Sequence, residues 1–164
     1  MKIGFKGFMV YRIKNHTELP WKELPERLAA LPAGDPAIGQ MQRSGFLPAI
    51  DGNDEMLTTL GKDQYAIALE TALRIVPNKI VKRELAQREY RWEQTYNKAP
   101  TKAERAALKV DVITELMENA LIDYSRMLAI VSGPYIYIDT TSAKKAELFL
   151  GALRRCFGSL PVIS

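Results

Sequence analysis

The clearest pattern in the chain lies at residues 63–75, DQYAIALETALRI. Here Tyr65, Ile67, Leu69, Thr71, Leu73 and Ile75 alternate with Gln64, Ala66, Ala68, Glu70, Ala72 and Arg74. A period of two sends successive side chains to opposite faces of a strand, so this segment reads as a strand with one packed face. Residues 3–13, IGFKGFMVYRI, are β-branched and aromatic with partial alternation and predict another strand. Further strands are predicted over 55–60, joined to 63–75 at Gly61-Lys62 after the Asp51-Gly52-Asn53-Asp54 turn, and over 122–131 and 134–139 around Gly133-Pro134.

Elsewhere the apolar positions recur every three or four residues. Trp21, Leu24, Leu28 and Leu31 predict a short helix over 21–31, with Pro25 tolerated in its first turn. A second short helix is expected over 35–43, with Asp35 as N-cap and Pro36 at the first helical position. Beyond Pro77 a long helix is expected over 78–98, striped by Val81, Leu85, Trp92 and Tyr96, until Ala99-Pro100 breaks it. Thr101-Lys102-Ala103-Glu104 has the form of a capping box and starts a helix to about residue 120, with Ala106, Val110, Ile113, Met117 and Leu121 as its apolar stripe. Two helices with so short a joint predict an antiparallel αα-hairpin. A last helix runs from Thr141 or Ser142 to about 157, with Gly158 closing it and Pro161 following. The expected fold is α+β: an antiparallel or mixed sheet with flanking helices and an inserted long αα-hairpin protrusion. Residues 1–76 and 122–164 would form the sheet domain, and 77–121 the helical tip.

Composition narrows the class. With 164 residues, 47% of them hydrophobic and 26% charged, the chain suits a globular domain that builds a core without disulfides or metal. Cys156 is the single cysteine and sits in an apolar helical run, so it reads as a small buried hydrophobe. The N-terminus has no apolar signal region and no window is long enough to span a bilayer, which predicts a soluble, cytoplasmic protein with no membrane partner.

The net charge of +4 is mild, but its distribution is not. Residues 77–109 hold nine bases (Lys79, Lys82, Arg83, Arg88, Arg91, Lys98, Lys102, Arg105 and Lys109) against four acids (Glu84, Glu89, Glu93 and Glu104). That excess of five roughly equals the charge of the whole chain, and residues 110–123 then carry only acids, Asp111, Glu115, Glu118 and Asp123. A basic helix would neutralise phosphates and release counterions, giving salt-sensitive, sequence-independent binding. Tyr90, Trp92 and Tyr96 interleave with the bases and suit stacking on unpaired bases, although the last two also fall on the apolar stripe that packing would claim. A solvated helix carrying mixed charges is the plainer reading of the same segment. A second cluster is Lys144-Lys145 with Arg154-Arg155: the lysines sit in a helix first turn, where the macrodipole disfavours cations and phosphate contact would account for them, whereas the arginines lie near the helix C-terminus, where bases are expected.

Catalytic chemistry finds little support. His16, the only histidine, has no cysteine or histidine partner for a metal and reads as a surface residue. The chain has no nucleophile elbow, no phosphate-binding glycine loop and no dinucleotide fingerprint. Candidate carboxylates for a magnesium nuclease are Asp51, Asp54 and Glu55 in a turn, Asp111, Glu115 and Glu118 on one helical face, and Asp139 ending a strand, but no carboxylate-x-Lys element follows a strand-borne Asp, and no catalytic residue, metal or cofactor is assigned.

Four blocks in register carry a family resemblance. They are Met9-Val10-Tyr11-Arg12, Ile75-Val76-Pro77 with Ile80-Val81-Lys82, Ser142-Ala143-Lys144-Lys145-Ala146-Glu147, and Gly158-Ser159-Leu160-Pro161-Val162. Together they resemble the N-terminal half of the bacterial recombination-associated RdgC family, from about residue 5 to 163. The resemblance implies a nucleoid-associated protein that binds DNA, duplex and also single-stranded, without sequence preference. It implies a ring-like dimer formed in part through the helical hairpin, and antagonism of RecA-type recombinase filaments. Proteins of the family are often labelled exonucleases, so a magnesium-dependent exonuclease is one alternative, and a module that pairs with a full-length homologue is another. The expected DNA-binding residues are Lys79, Lys82, Arg83, Arg88, Arg91, Lys98, Lys102, Lys144 and Lys145, contacting phosphates rather than base edges. Two departures stand out. Family members are about twice as long, which suggests a truncated or short variant. Where the family carries a basic and an aromatic residue in a Pro-Arg-Ala-Phe-like stretch, this chain has Glu118-Asn119-Ala120-Leu121, so Leu121 is the candidate apolar wedge.

Overall fold

The computed structural model describes residues 7–164. Seven strands and four helices follow in the order β1 (Met9–Ile13), α1 (Leu24–Ala29), β2 (Gln42–Leu47), β3 (Thr58–Gly61), β4 (Gln64–Arg74), α2 (Asn78–Tyr96), α3 (Lys102–Glu118), β5 (Ile122–Ser132), β6 (Tyr135–Ile138), α4 (Ala143–Phe157) and β7 (Val162–Ile163). The fold is α+β. The strands make one sheet in the order β2-β4-β5-β6-β1-β7, with β3 paired on β4. The pairs β1–β6, β1–β7, β3–β4 and β5–β6 are antiparallel. Residues 3–6 of the first expected strand lie outside the described residues.

The chain divides into two compact units. One comprises residues up to Gly34, Ser44–Thr71 and Tyr124–Ser164; the other comprises Asp35–Arg43 and Ala72–Asp123.

In the first unit, alternation on β1, β4, β5 and β6 sends Tyr11, Ile13, Ile67, Leu69, Ala129, Val131, Ile136 and Ile138 to one face of the sheet. Helices α1 and α4 pack there. Helix α4 places Ala146, Phe149, Leu150, Leu153, Cys156 and Phe157 on a single buried stripe at helical spacing. Phe149 meets Phe46 edge-to-face at 6.3 Å. Burial raises the Cys156 thiol pKa, and its Sγ–H points at the Arg27 carbonyl.

Strand β4 departs from the one-faced expectation, because Ala66 and Ala68 on its other side are also fully buried. They form a small cluster with Ala49, Leu47 and Leu128. Arg126 fastens the loop over this cluster, donating to the carbonyls of Pro48 and Ala49 at 2.7 Å each and pairing with Asp51 at 3.1 Å.

Strand β2 is absent from the sequence reading, which has a helix over 35–43. The segment instead forms an irregular loop and then a strand. Gly39 has φ +82, which interrupts helical geometry, and Ile38 is 93% exposed, so the segment has no apolar stripe to bury. Its carbonyls are satisfied by tertiary contacts within the second unit. Arg74 donates to Gln40 O at 3.2 Å, Pro36 O at 3.0 Å and Met117 O at 3.0 Å. In the first unit, Phe46 of β2 bridges Pro32 in parallel, with Phe46 N on Leu31 O at 2.7 Å and Ala33 N on Phe46 O at 2.8 Å. The chains pass so closely that a β-carbon on Gly45 would collide with the Pro32 carbonyl.

In the second unit α2 packs on α3. Thr101 caps α3 as its sequence suggests, with its hydroxyl accepting from Glu104 N and Glu104 accepting from Thr101 N. The buried positions of α3 are Val112 and Met117, whereas Val110 is 62% exposed and Leu121 78%. The sequence offers two overlapping apolar stripes, and the one through Leu108, Val112 and Leu116 turns inward in place of the one through Ala106 and Val110.

Three outcomes follow. Phe149→Ala should lower the unfolding free energy by about 3–5 kcal/mol, measured by denaturant titration. Gly45→Ala should lower it by about 1–3 kcal/mol, as overpacking against fixed backbone does. The Thr101 backbone N–H, then its hydroxyl, holds the Glu104 carboxyl below its ordinary pKa. The capping contribution is therefore complete above the ordinary carboxylate range and fades as pH falls through the lowered value. Amide exchange at the start of α3 should accelerate relative to the rest of the helix in that acidic window, and Glu104→Gln should abolish the pH dependence.

Candidate nucleic-acid interface

The nine cations proposed from sequence fall on three helices and the α2–α3 joint. Lys79, Lys82, Arg83 and Arg91 are exposed on α2, Lys98 follows its C-terminus, and Lys102 opens α3. Helix α2 ends at Tyr96, where Asn97 takes a left-handed conformation and donates to Glu93 O.

Part of this set converges. Lys82 of α2 and Lys102 of α3 line one cavity of about 330 Å³ together with Arg105, Lys109, Val81, Leu85 and Ala106. Four cationic side chains thus border a cavity floored by the aliphatic carbon of Val81, Leu85 and Ala106. Sequence reasoning counted Arg105 and Lys109 in the basic run but did not select them. The signal was available in their spacing: Lys102, Arg105 and Lys109 stand at i, i+3 and i+7, one face of a helix.

Two arginines of the pair are neutralised internally. Arg88 is half-buried and bonded to Glu115, which raises its pKa, and Arg105 pairs with Glu89. Glu115 is therefore engaged by a cation rather than held with Asp111 and Glu118 as an open acidic face. Among the described residues no three His, Cys, Asp or Glu side chains come together as a metal-binding group.

Of the aromatics, Tyr90 and Tyr96 are exposed, while Trp92 is half-buried against Tyr96 with ring centroids 4.5 Å apart. Leu121 projects just beyond α3 and borders an apolar groove of about 300 Å³ formed with Ile75, Pro77, Ile80 and Leu116.

Lys144 and Lys145 belong to the first unit, where both are exposed in the first turn of α4. Ser142 caps this helix by accepting from Lys145 N at 3.4 Å. His16 is half-buried, its ring 5.3 Å from Trp21, whose indole N–H donates to the His16 carbonyl at 2.7 Å. No helix among the described residues is long and apolar enough to cross a membrane.

Comparison with known proteins sets these features in a lineage. The profile of a family described as "Putative exonuclease, RdgC" matches residues 3–164. Proteins named Recombination-associated protein RdgC from Salmonella typhimurium and from Salmonella newport are each 29% identical over 163 residues, covering 98% of this chain and 54% of the relative. The chain thus spans about half the length of the curated relatives it matches. With the match extending from the first strand through the helix pair to β7, the chain belongs to the RdgC family.

Proposed function

We propose that this protein binds DNA without sequence preference in the service of recombination, limiting a recombinase's access to the strand. The observation that carries the reading is the α2–α3 groove, where Lys82, Lys102, Arg105 and Lys109 surround one cavity. Phosphates laid along it would meet point charges and a guanidinium, with no base edge in reach of a dedicated reader. Lys79, Arg83, Arg91 and Lys98 extend the positive field along the same unit, and Lys144 and Lys145 supply a second contact from the other. Arg88 enters as a contact only by exchanging Glu115 for phosphate, and Arg105 only by exchanging Glu89.

The name carried by the relatives, recombination-associated, supports the biological side of the reading; a cytoplasmic, nucleoid-associated location is part of the same proposal. Exposed Val110, Tyr90 and Leu121 on the helix pair suit pairing with a second copy or with a full-length homologue, and Leu121 suits insertion as an apolar wedge. The family description supports a second reading, a magnesium-dependent exonuclease. Labelled duplex that shortens with Mg²⁺ and is spared by chelator would establish that activity.

The direct test is fluorescence anisotropy of a labelled duplex across a salt series. Binding should weaken steeply with salt. The triple variant Lys82→Ala/Lys102→Ala/Lys109→Ala should lower the slope of log K against log salt by about 3, roughly one for each phosphate contact. It should weaken unrelated sequences alike. Salt-independent binding, or none at moderate salt, removes the reading. Lys144→Gln/Lys145→Gln should lower the slope by about 2 by the same rule, and an unchanged slope would strike those two residues from the interface.

A further inference from the structure

The chain is basic, yet its first unit contains a cleft of the opposite sign. Helix α1 buries Leu24 and Leu28, while Pro25, Glu26 and Ala29 are exposed. Those exposed residues line a cavity of about 530 Å³ together with the segment that leads into β3. Its floor is apolar: Pro25 and Ala29 from α1, and Met56 and Leu57, which continue into the core of the unit. Its rim carries Glu26, Asp54 and Glu55.

The sheet ends beside this cleft. Strands β2 and β3 both pair with β4, and no strand lies beyond either. The edge of β2 is closed by the chain leaving α1, since Phe46 N donates to Leu31 O and Ala33 N donates to Phe46 O. Among the described residues β3 has no such neighbour. It pairs with β4 alone, and Thr59, Leu60 and Gly61 are exposed. Thr59 belongs to β3 and also lines the cleft, so the open edge and the cleft adjoin. An open edge offers backbone N–H and C=O groups to a further strand. With a groove running between that edge and a helix, an added strand can seat every second side chain in the groove.

Charge selects the occupant. Glu26, Asp54 and Glu55 are exposed, and none forms an ion pair among the described residues. Arg27, the base next to Glu26 in the chain, is taken up by Glu23 and by the Cys156 carbonyl. Three carboxylates around an apolar floor repel phosphate and attract Lys or Arg. The long stems of those side chains suit the floor, because they lie along apolar surface while the charged head reaches outward.

We propose that the cleft between α1 and β3 docks an extended basic segment of a partner protein. The segment adds to the β3 edge and lays alternate Lys or Arg side chains over Met56 and Leu57 to reach Glu26, Asp54 and Glu55. The site shares no residue with the α2–α3 groove and does not depend on DNA being bound there.

The probe is a short fluorescent peptide alternating lysine and threonine, titrated into the full chain by anisotropy. A second peptide carries glutamate in place of lysine. Two more are N-methylated on the backbone, one at every lysine and one at every threonine. The lysine peptide should bind at least about tenfold more tightly than the glutamate peptide, and Glu26→Gln/Asp54→Asn/Glu55→Gln should weaken it by about tenfold. Alternate N–H groups of a strand point to opposite sides, so one methylated peptide should lose binding and the other keep it. Amides of Thr59, Leu60 and Gly61 should exchange more slowly once the peptide is bound. Thermal melts check that the triple variant is folded, and the single variants Glu26→Gln and Glu55→Gln replace it if it is not. Equal affinity for the lysine and glutamate peptides overturns the proposal, as does an absence of lysine-peptide binding at low salt. Unchanged exchange in β3, or equal tolerance of both methylated peptides, overturns the strand addition and the proposal with it. Self-association that the triple variant abolishes, with no peptide bound, would assign the cleft to a second copy and overturn it equally.

Discussion

The seal between α4 and the inner face of the sheet is the constraint from which the first unit follows. Each of Phe149, Leu150 and Leu153 is fully buried, and side chains of this size are worth about 1.5–3 kcal/mol apiece in water-to-interior transfer. That face needs strand alternation on β1, β4, β5 and β6 to agree in phase, because a slip of one residue would turn Ile67 and Leu69 outward and alanines inward. The same phase fixes the outward set: Arg12 and Tyr135 are exposed and Tyr137 is half-buried because Tyr11, Ile136 and Ile138 turn inward.

The second unit is organised by charge as well as by apolar packing. Only Val81 and Leu85 of α2, and Val112 and Met117 of α3, are buried along the two helices. A surface so thinly apolar leaves most of each helix in water, where Lys and Arg stay hydrated. The pairs Arg88–Glu115 and Arg105–Glu89 are partly exposed, and such pairs contribute modestly to stability. Their larger effect is to lower the number of freely available cations.

Sequence pattern reveals most where one periodicity dominates. Helix α4, the turn at Gly133-Pro134 and the cap at Thr101 were legible because local chemistry and burial agree there. Three features were not. The 35–43 segment carries helix-start signals, Asp35 and Pro36, but the hydrogen-bond acceptors that would close a helix are taken by Arg74, a residue distant in sequence. Helix α3 contains two apolar stripes a fraction of a turn apart, and only packing chooses between them. Strand β4 looks one-sided because alanine reads as neutral, yet Ala66 and Ala68 are buried as completely as Ile67. For the site, the basic run was plain, while the convergence of Lys82 with Lys109 required the contact of two helices.

The loop held by Arg126 sets a ceiling on side-chain size. A helix laid on a sheet stands about 10 Å away and leaves room for Phe or Leu, whereas a single extended chain lies much nearer. The fully buried Ala66 and Ala68 present only methyl groups to it. Bulk added at either position would lift the loop and strain three hydrogen bonds at one guanidinium, so the thinness of this roof, rather than any need for alanine itself, restricts what evolution can place there.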